Sequence, residues 1–368
     1  MILLVGGGGI PNYGDELIIN NWLRWYGEVG EGAMNRVRVE GYSARVLRST
    51  FSSRFPEVGW GHIVRNARLR YRDAGFWGAL DGGLKAGEAS DRSVRAAKDI
   101  ADAASIFHVH GGGYINGKWP THAFVLGIAA SAAKSAGTRA VATGLGLRPV
   151  PEPDDLERAI LDEVVGCFSL LEVRDKWSYD FLIRNVAPSN HSKIILGLDD
   201  AFLQPVLAER RDTRTLHLAL RADAAGDSII ERLDNDFVGS FDRHQFWVCK
   251  PADAAAFAKL AEKFRFFELA GTTQLVENLH LSSQDILITE RFHPHLQAAR
   301  AGAGGVYWSG SDYYDTKHGS LVELGSPFVK DDGNAFAIAA LSGNNSSMKE
   351  NDADYLRRKR AIARMILS

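Results

Sequence analysis

Short, continuously apolar runs alternate along the chain with longer stretches in which apolar residues recur at i, i+3 and i+4. The runs are Ile2–Val5, Ser105–Val109, Arg139–Thr143, Phe168–Val173, Lys193–Leu196, Leu216–Leu220, Gln245–Cys249, Phe266–Leu269, Asp285–Thr289 and Gly305–Trp308. Leu17, Ile18, Trp22 and Trp25 form one helical stripe; Phe124, Leu126, Ile128 and Ala132 form another. Strands alternating with helices predict a doubly wound α/β architecture. A strand with one wet face would alternate polar and apolar residues. These runs do not, so the strands should be parallel and covered on both faces.

At roughly 100–200 residues per domain, 368 residues accommodate two such sheets. The pattern breaks at Gln204–Arg214, where the chain turns polar and charged after Pro205 before a fresh strand starts at Leu216. The expected organisation is an N-terminal domain at 1–205, a C-terminal domain at 206–330 and a helical tail at 331–368 that packs back on the first domain. Within the first domain, about 41–95 reads as an insertion of irregular structure. There Arg65, Arg68, Arg70 and Arg72 precede a glycine-rich stretch, Gly75–Gly87.

The formal charge of −2 and the mixing of acids with bases give no field for nucleic acid. Cys167 and Cys249 lie in apolar runs with no metal or disulfide spacing, as expected of a reducing compartment. No apolar run approaches the ~20 residues of a membrane span. The expectation is a cytoplasmic protein, with peripheral contact to a membrane surface left open.

Candidate chemistry gathers at strand ends. Arg291, His293 and His295 follow the run Asp285–Thr289, and Tyr314, Asp315 and Lys317 follow Gly305–Trp308. Arg221 ends the first strand of the second domain. Cations converging there suit a small ligand with phosphate and carboxylate groups, which arginine grips bidentately. Near the N-terminus, Gly6–Glu16 reads G-G-G-G-I-P-N-Y-G-D-E, which is not the dinucleotide fingerprint G-x-G-x-x-G. Asp15 and Glu16 stand where a phosphate would sit, so the turn fits either a helix cap or a contact to a hydroxyl. His108-Val-His110-Gly-Gly-Gly113-Tyr-Ile-Asn116 marks a close backbone approach at a strand end, without a third metal ligand. Arg174 is expected to pair with Asp175, and Asp199-Asp200 to cap the crossover.

Taken in order, N-Y-G-D-E (Asn12–Glu16), H-G-G-G (His110–Gly113), V-R-D-x-x-S (Val173–Ser178), L-D-D-A-F (Leu198–Phe202), E-R-F-H (Glu290–His293) and Y-D-T-K (Tyr314–Lys317) resemble the polysaccharide pyruvyl transferase family. The resemblance implies two Rossmann-like domains facing a cleft, the GT-B arrangement, with phosphoenolpyruvate as donor substrate and no cofactor or metal. It implies a saccharide or lipid-linked saccharide as acceptor. Arg221, Arg291, Lys317 and His295 are then assigned to the donor, and His293 to general acid–base work. Asp15, Glu16, His110 and Asn116 are assigned to the acceptor, and Trp119 could stack on a sugar face. The sequence departs from the family pattern at Pro294, after the R-x-H histidine. Two alternatives remain: a nucleotide-sugar glycosyltransferase on the same architecture, and an inactive glycan-binding relative.

Overall fold

The computed structural model describes residues 1–331 and 346–368; positions 332–345 of the expected tail lie outside the described residues. The chain divides into two compact units, one of Met1–Ile10, Ile18–Leu203 and Arg357–Ser368, the other of Pro11–Leu17 and Gln204–Leu356. Each is built on a parallel sheet.

In the first unit the strands are β1 (Ile2–Val5), β2 (Val37–Glu40), β3 (Gly59–Gly61), β4 (Ile106–Val109), β5 (Arg139–Leu145), β6 (Phe168–Val173) and β7 (Ile194–Leu196). They order as β3-β2-β1-β4-β5-β6-β7. This is the Rossmann sequence 3-2-1-4-5-6 with one strand added, and its strand order reverses between β1 and β4. Alternate residues of one strand feed different cores, because side chains alternate across a sheet. Leu3, Val5, Phe107 and Val109 join Phe124 and Ile128 on one face, while Ile2, Leu4 and Ile106 join Ile18 and Trp22 on the other. Cover on both faces explains the continuous apolar runs.

The second unit contains a short parallel pair, β8 (Ala208–Glu209) with β12 (Leu281–Ser282). Its main strands are β9 (Thr215–Ala219), β10 (Arg243–Val248), β11 (Glu268–Gly271), β13 (Ile286–Thr289), β14 (Gly304–Tyr307) and β15 (Val329–Lys330). Their order, β11-β10-β9-β13-β14-β15, repeats the Rossmann pattern and places its switch point between β9 and β13. The two-domain, doubly wound expectation is thus met.

The stretch expected to be irregular is regular instead. It carries edge strand β3 and the helices Ala44–Phe51, Ile63–Ala67 and Gly75–Leu84. Its glycines serve close helix packing rather than a loop. A Cβ at Gly83 would stand 2.3 Å from the carbonyl of Phe124, and one at Gly127 would stand 2.1 Å from that of Leu80. Helices Gly75–Leu84 and Ala123–Ala136 therefore approach backbone to backbone.

The tail forms the helix Ser347–Leu367. Its Lys359 is fully buried in the first unit and donates to Glu172 and Asp200, each at 2.5 Å. Asp200 also accepts from Trp22 Nε1 at 2.8 Å, Gly111 N at 2.7 Å and Thr143 Oγ1 at 2.9 Å. Asp199, rather than Asp175, pairs with Arg174, at 2.5 Å. Asp175 is instead occupied as the N-cap of Lys176–Asn185, accepting from Ser178 N at 2.8 Å. Among the described residues no helix is long and apolar enough to cross a membrane.

Candidate functional site

In the second unit the predicted residues collect where β9, β10, β13 and β14 end. Residue Thr289 of β13 pairs with Ala219 of β9 and Tyr307 of β14. Arg221 therefore leaves one side of the switch point while Glu290 and Arg291 leave the other. Open α/β sheets bind ligands in that crevice.

A buried carboxylate holds each arginine. Glu290, 1% exposed, accepts Arg221 N at 2.8 Å and Arg221 Nη2 at 3.0 Å. Arg221 Nη1 reaches Tyr314 Oη at 3.3 Å, and its guanidinium lies 5.0 Å from the Tyr314 ring centroid. Arg291 donates from Nη2 to Asp253, also 1% exposed, at the end of β10. Arg291 Nε is buried and has no partner among the described residues. Burial is the chief influence on Glu290 and Asp253, and it raises both carboxyls above their ordinary range despite the guanidiniums beside them. The edge expected to gather cations holds its two arginines in oriented ion pairs. Charge-assisted contacts of this kind fix the plane of each guanidinium fork.

Lys317 and Tyr314 complete the cluster. The Lys317 ammonium donates to Tyr313 Oη, 4.0 Å from that ring's centroid, and lies 5.9 Å from the Tyr314 ring. His293 stands in the first turn of the helix Phe292–Ala301, whose N-cap is Arg291. The first turn of the N-terminal helix Tyr13–Val29 groups with this unit, and Gly14 lies against the His293 ring. A Cβ at Gly14 would come within 1.9 Å of His293 Nδ1. The spacing N-Y-G-D-E therefore places its glycine where only glycine fits. Asp15 is half-buried and accepts from Asn12 Nδ2 at 2.5 Å, while Glu16 is 1% exposed.

Three predicted residues take other places. His295, assigned to the donor, is fully buried. Its Nδ1 lies 2.8 Å from His318 Nδ1 and its Nε2 lies 2.6 Å from Ser326 Oγ. Its ring stacks on Phe328 at 4.2 Å. Burial drives its pKa well down, so it is a neutral core imidazole and not a ligand contact. On a helix, i and i+2 face apart, which is why His293 and His295 diverge. Asn116 spends its side chain on its own turn, accepting from Lys118 N at 2.9 Å and Trp119 N at 3.2 Å and donating to Gly113 O at 2.9 Å. It belongs to an Asx-turn rather than to an acceptor. His110 is fully buried in the first unit, packed on Gly6, with Nδ1 3.1 Å from Gly111 O. That burial leaves an acceptor no surface on its ring. Both ring nitrogens of His108 are engaged, by Tyr26 Oη at 3.1 Å and Thr143 Oγ1 at 2.8 Å.

Two residues of the cluster carried no sequence assignment. Glu290 was signalled only by its place in E-R-F-H. Asp253 sits in Pro251–Asp253, whose sequence has no chemical signature.

Among solved structures, the chain is similar to the UDP-GlcNAc 2-epimerase from Neisseria meningitidis bound to UDP-GlcNAc, at 12% identity and a TM-score of 0.55 over 100% of both chains. It is similar to Arabidopsis thaliana UGT89C1 complexed with UDP-L-rhamnose, at 9% identity and a TM-score of 0.53 over 99% of this chain and 97% of that one. It is also similar to the spinosyn rhamnosyltransferase SpnG complexed with spinosyn aglycone, at 13% identity and a TM-score of 0.53 over 100% of both chains. At such identities the likeness is one of fold, that of GT-B-type glycosyltransferases and epimerases. No curated protein matches the sequence. The family model for polysaccharide pyruvyl transferases matches residues 12–306, which take in most strands of both sheets and the motifs from Asn12 to His293, and the chain belongs to that family.

Proposed function

We propose that the protein transfers the pyruvyl unit of phosphoenolpyruvate to two hydroxyls of a saccharide, forming a cyclic ketal and releasing phosphate. The observation that carries this reading is the strand-end cluster of Arg221, Arg291 and Lys317 beside His293. Two arginine forks held in plane by Glu290 and Asp253 suit a ligand with two planar or tetrahedral anionic groups. The orphaned Arg291 Nε would be satisfied by one of its oxygens. The N-terminus of the helix Phe292–Ala301 adds backbone N–H groups and a favourable dipole.

In this mechanism His293 serves proton transfer, a step worth roughly 10²–10⁴-fold in rate. A proton is added to C3 of the enol, and the first sugar hydroxyl bonds to C2 as its own proton leaves. The C2–O bond to phosphate then breaks. The second hydroxyl bonds to C2, and its proton leaves with the phosphate. The arginines and Lys317 stabilise the charge gathering on the leaving group. Atoms balance without a redox partner or cofactor. Asp15 would orient an acceptor hydroxyl at the same strand-end edge.

The test is incubation with phosphoenolpyruvate and candidate saccharides, free or lipid-linked, reading free phosphate and product mass. Arg291→Ala and His293→Ala should each lose both signals while circular dichroism stays native. Pyruvyl transfer by either folded variant would refute the assignment. Stabilisation by nucleotide sugars but not by phosphoenolpyruvate would favour the glycosyltransferase alternative.

A further inference from the structure

The first unit holds a second cluster of cations that the reaction above does not use. Five of its lysines and arginines are buried: Arg65, Arg68, Lys98, Arg174 and Lys359. Three are paired with carboxylates, namely Lys98 with Asp102, Arg174 with Asp199, and Lys359 with Glu172 and Asp200. Arg65 and Arg68 are different. Arg65 is fully buried and, among the described residues, donates to neutral acceptors: Gly6 O at 2.7 Å, Tyr42 Oη at 3.0 Å and His122 Nε2 at 3.1 Å. His122 Nδ1 faces the carbonyl of Tyr114 at 2.8 Å and so carries the proton, leaving Nε2 to accept. Burial, with both arginines nearby, lowers the pKa of that ring to about 2, so it is neutral. Arg68 bonds Tyr42. Both guanidiniums lie over the Tyr42 ring, at 4.5 and 5.1 Å.

Two positive charges thus share a buried site with neutral partners alone among the described residues. One Nη of Arg65, and the Nε and one Nη of Arg68, are buried without partners among the described residues. An uncompensated buried charge is expensive, and an orphaned donor adds to the cost. The location is also informative. Gly6 follows β1, so Arg65 is tied to the switch point of the first sheet, where such folds bind ligands. Arg68 keeps 6% exposure and Tyr42 is half-buried, so the pair meets solvent on their side.

We propose that Arg65 and Arg68 form a second oxyanion site, at the end of β1, that takes a phosphoryl group. A phosphate oxygen can accept from both forks at once and offset both charges. The group could be carried by the saccharide acceptor or be a free ion. The first of these rests on the pyruvyl-transfer reading; the anion site itself does not.

The test uses Arg291→Ala protein, in which the strand-end cluster of the second unit is weakened, and reads the difference that Arg68 makes. Inorganic phosphate, inorganic pyrophosphate and glucose 1-phosphate are titrated calorimetrically. Binding is expected, and adding Arg68→Gln should weaken it about tenfold or more. Arg70→Gln, an exposed neighbour paired with Asp91, should leave it unchanged. If Arg68→Gln misfolds, Arg68→Lys keeps the charge but loses the fork and should still weaken binding. Tighter binding of glucose 1-phosphate than of phosphate supports a saccharide source, and equal binding supports a free ion. No binding of any of the three, or equal binding with and without the Arg68 substitution, overturns the site. No donor or turnover enters this readout, so failure of pyruvyl transfer would leave its result standing.

Discussion

Substituting Gly14 by alanine tests the site through a residue that carries no chemistry of its own. The added methyl would stand 1.9 Å from His293 Nδ1, 2.5 Å from Cε1 and 2.8 Å from Cγ. Ordinary contact requires the ring to retreat by about 1.5 Å. Overpacking of this kind costs about 1–3 kcal/mol. Alanine in place of glycine returns about 1 kcal/mol of helix propensity in the turn that starts at Tyr13. The net loss of stability should stay within about 2 kcal/mol, and the protein should remain folded. A displacement of that size at a proton-transfer group can cost about 10²-fold in rate. Phosphate release from phosphoenolpyruvate, with acceptor saturating, should therefore fall by about that factor, with a smaller change in KM for the donor. The same substitution placed on His293→Ala should cost nothing further, since the two act through one ring. Wild-type turnover by folded Gly14→Ala would refute the placement of His293 at the reacting centre.

Two further outcomes concern stability. Lys359→Met leaves Glu172 and Asp200 as buried carboxylates without their ammonium, and should cost about 3–5 kcal/mol; an unchanged urea midpoint would show that the triad is not what holds the helix Ser347–Leu367. Burial lowers the pKa of His108 to about 3, of His122 to about 2 and of His318 to about 3. These rings stay neutral in the native state while the unfolded chain takes up protons near pH 6.5. Their contribution to stability is complete above that pH and drains below it, by up to about 1.4 kcal/mol per pH unit for each ring. Asp253 and Glu290, raised chiefly by burial, pull the other way. The clean readout is therefore imidazole Cε1–H resonances that do not shift between about pH 7.5 and 5; a titrating resonance from any of the three would count against its burial.

The continuous apolar runs made the central strands legible, because burial on both faces leaves no room for polar alternation. β2 escaped notice since Val37-Arg-Val-Glu40 alternates, and Arg38 with Glu40, on one face of the strand, form a pair at 2.7 Å. A glycine misled where it serves packing: Gly83 looks like a loop former until two helices meet across it and Gly127. At the site, Arg221, Arg291 and His293 stood out because charged residues at the ends of apolar runs must face outward or be paired. Their carboxylate partners did not stand out in the same way. Asp253 lies 38 positions from Arg291, and nothing in a linear chain marks a contact over that span. His295 was misplaced because proximity in sequence suggested shared duty, whereas a helix turns neighbours away from each other.

The partner that neutralises Glu172 lies 187 positions downstream. At about 5–20 residues per second, a ribosome needs on the order of ten to forty seconds to span that distance. For most of that interval, once Asp200 has been added, the nascent first sheet contains two acids that lack Lys359. The early half of this polypeptide must therefore wait, incomplete, for Lys359 to emerge.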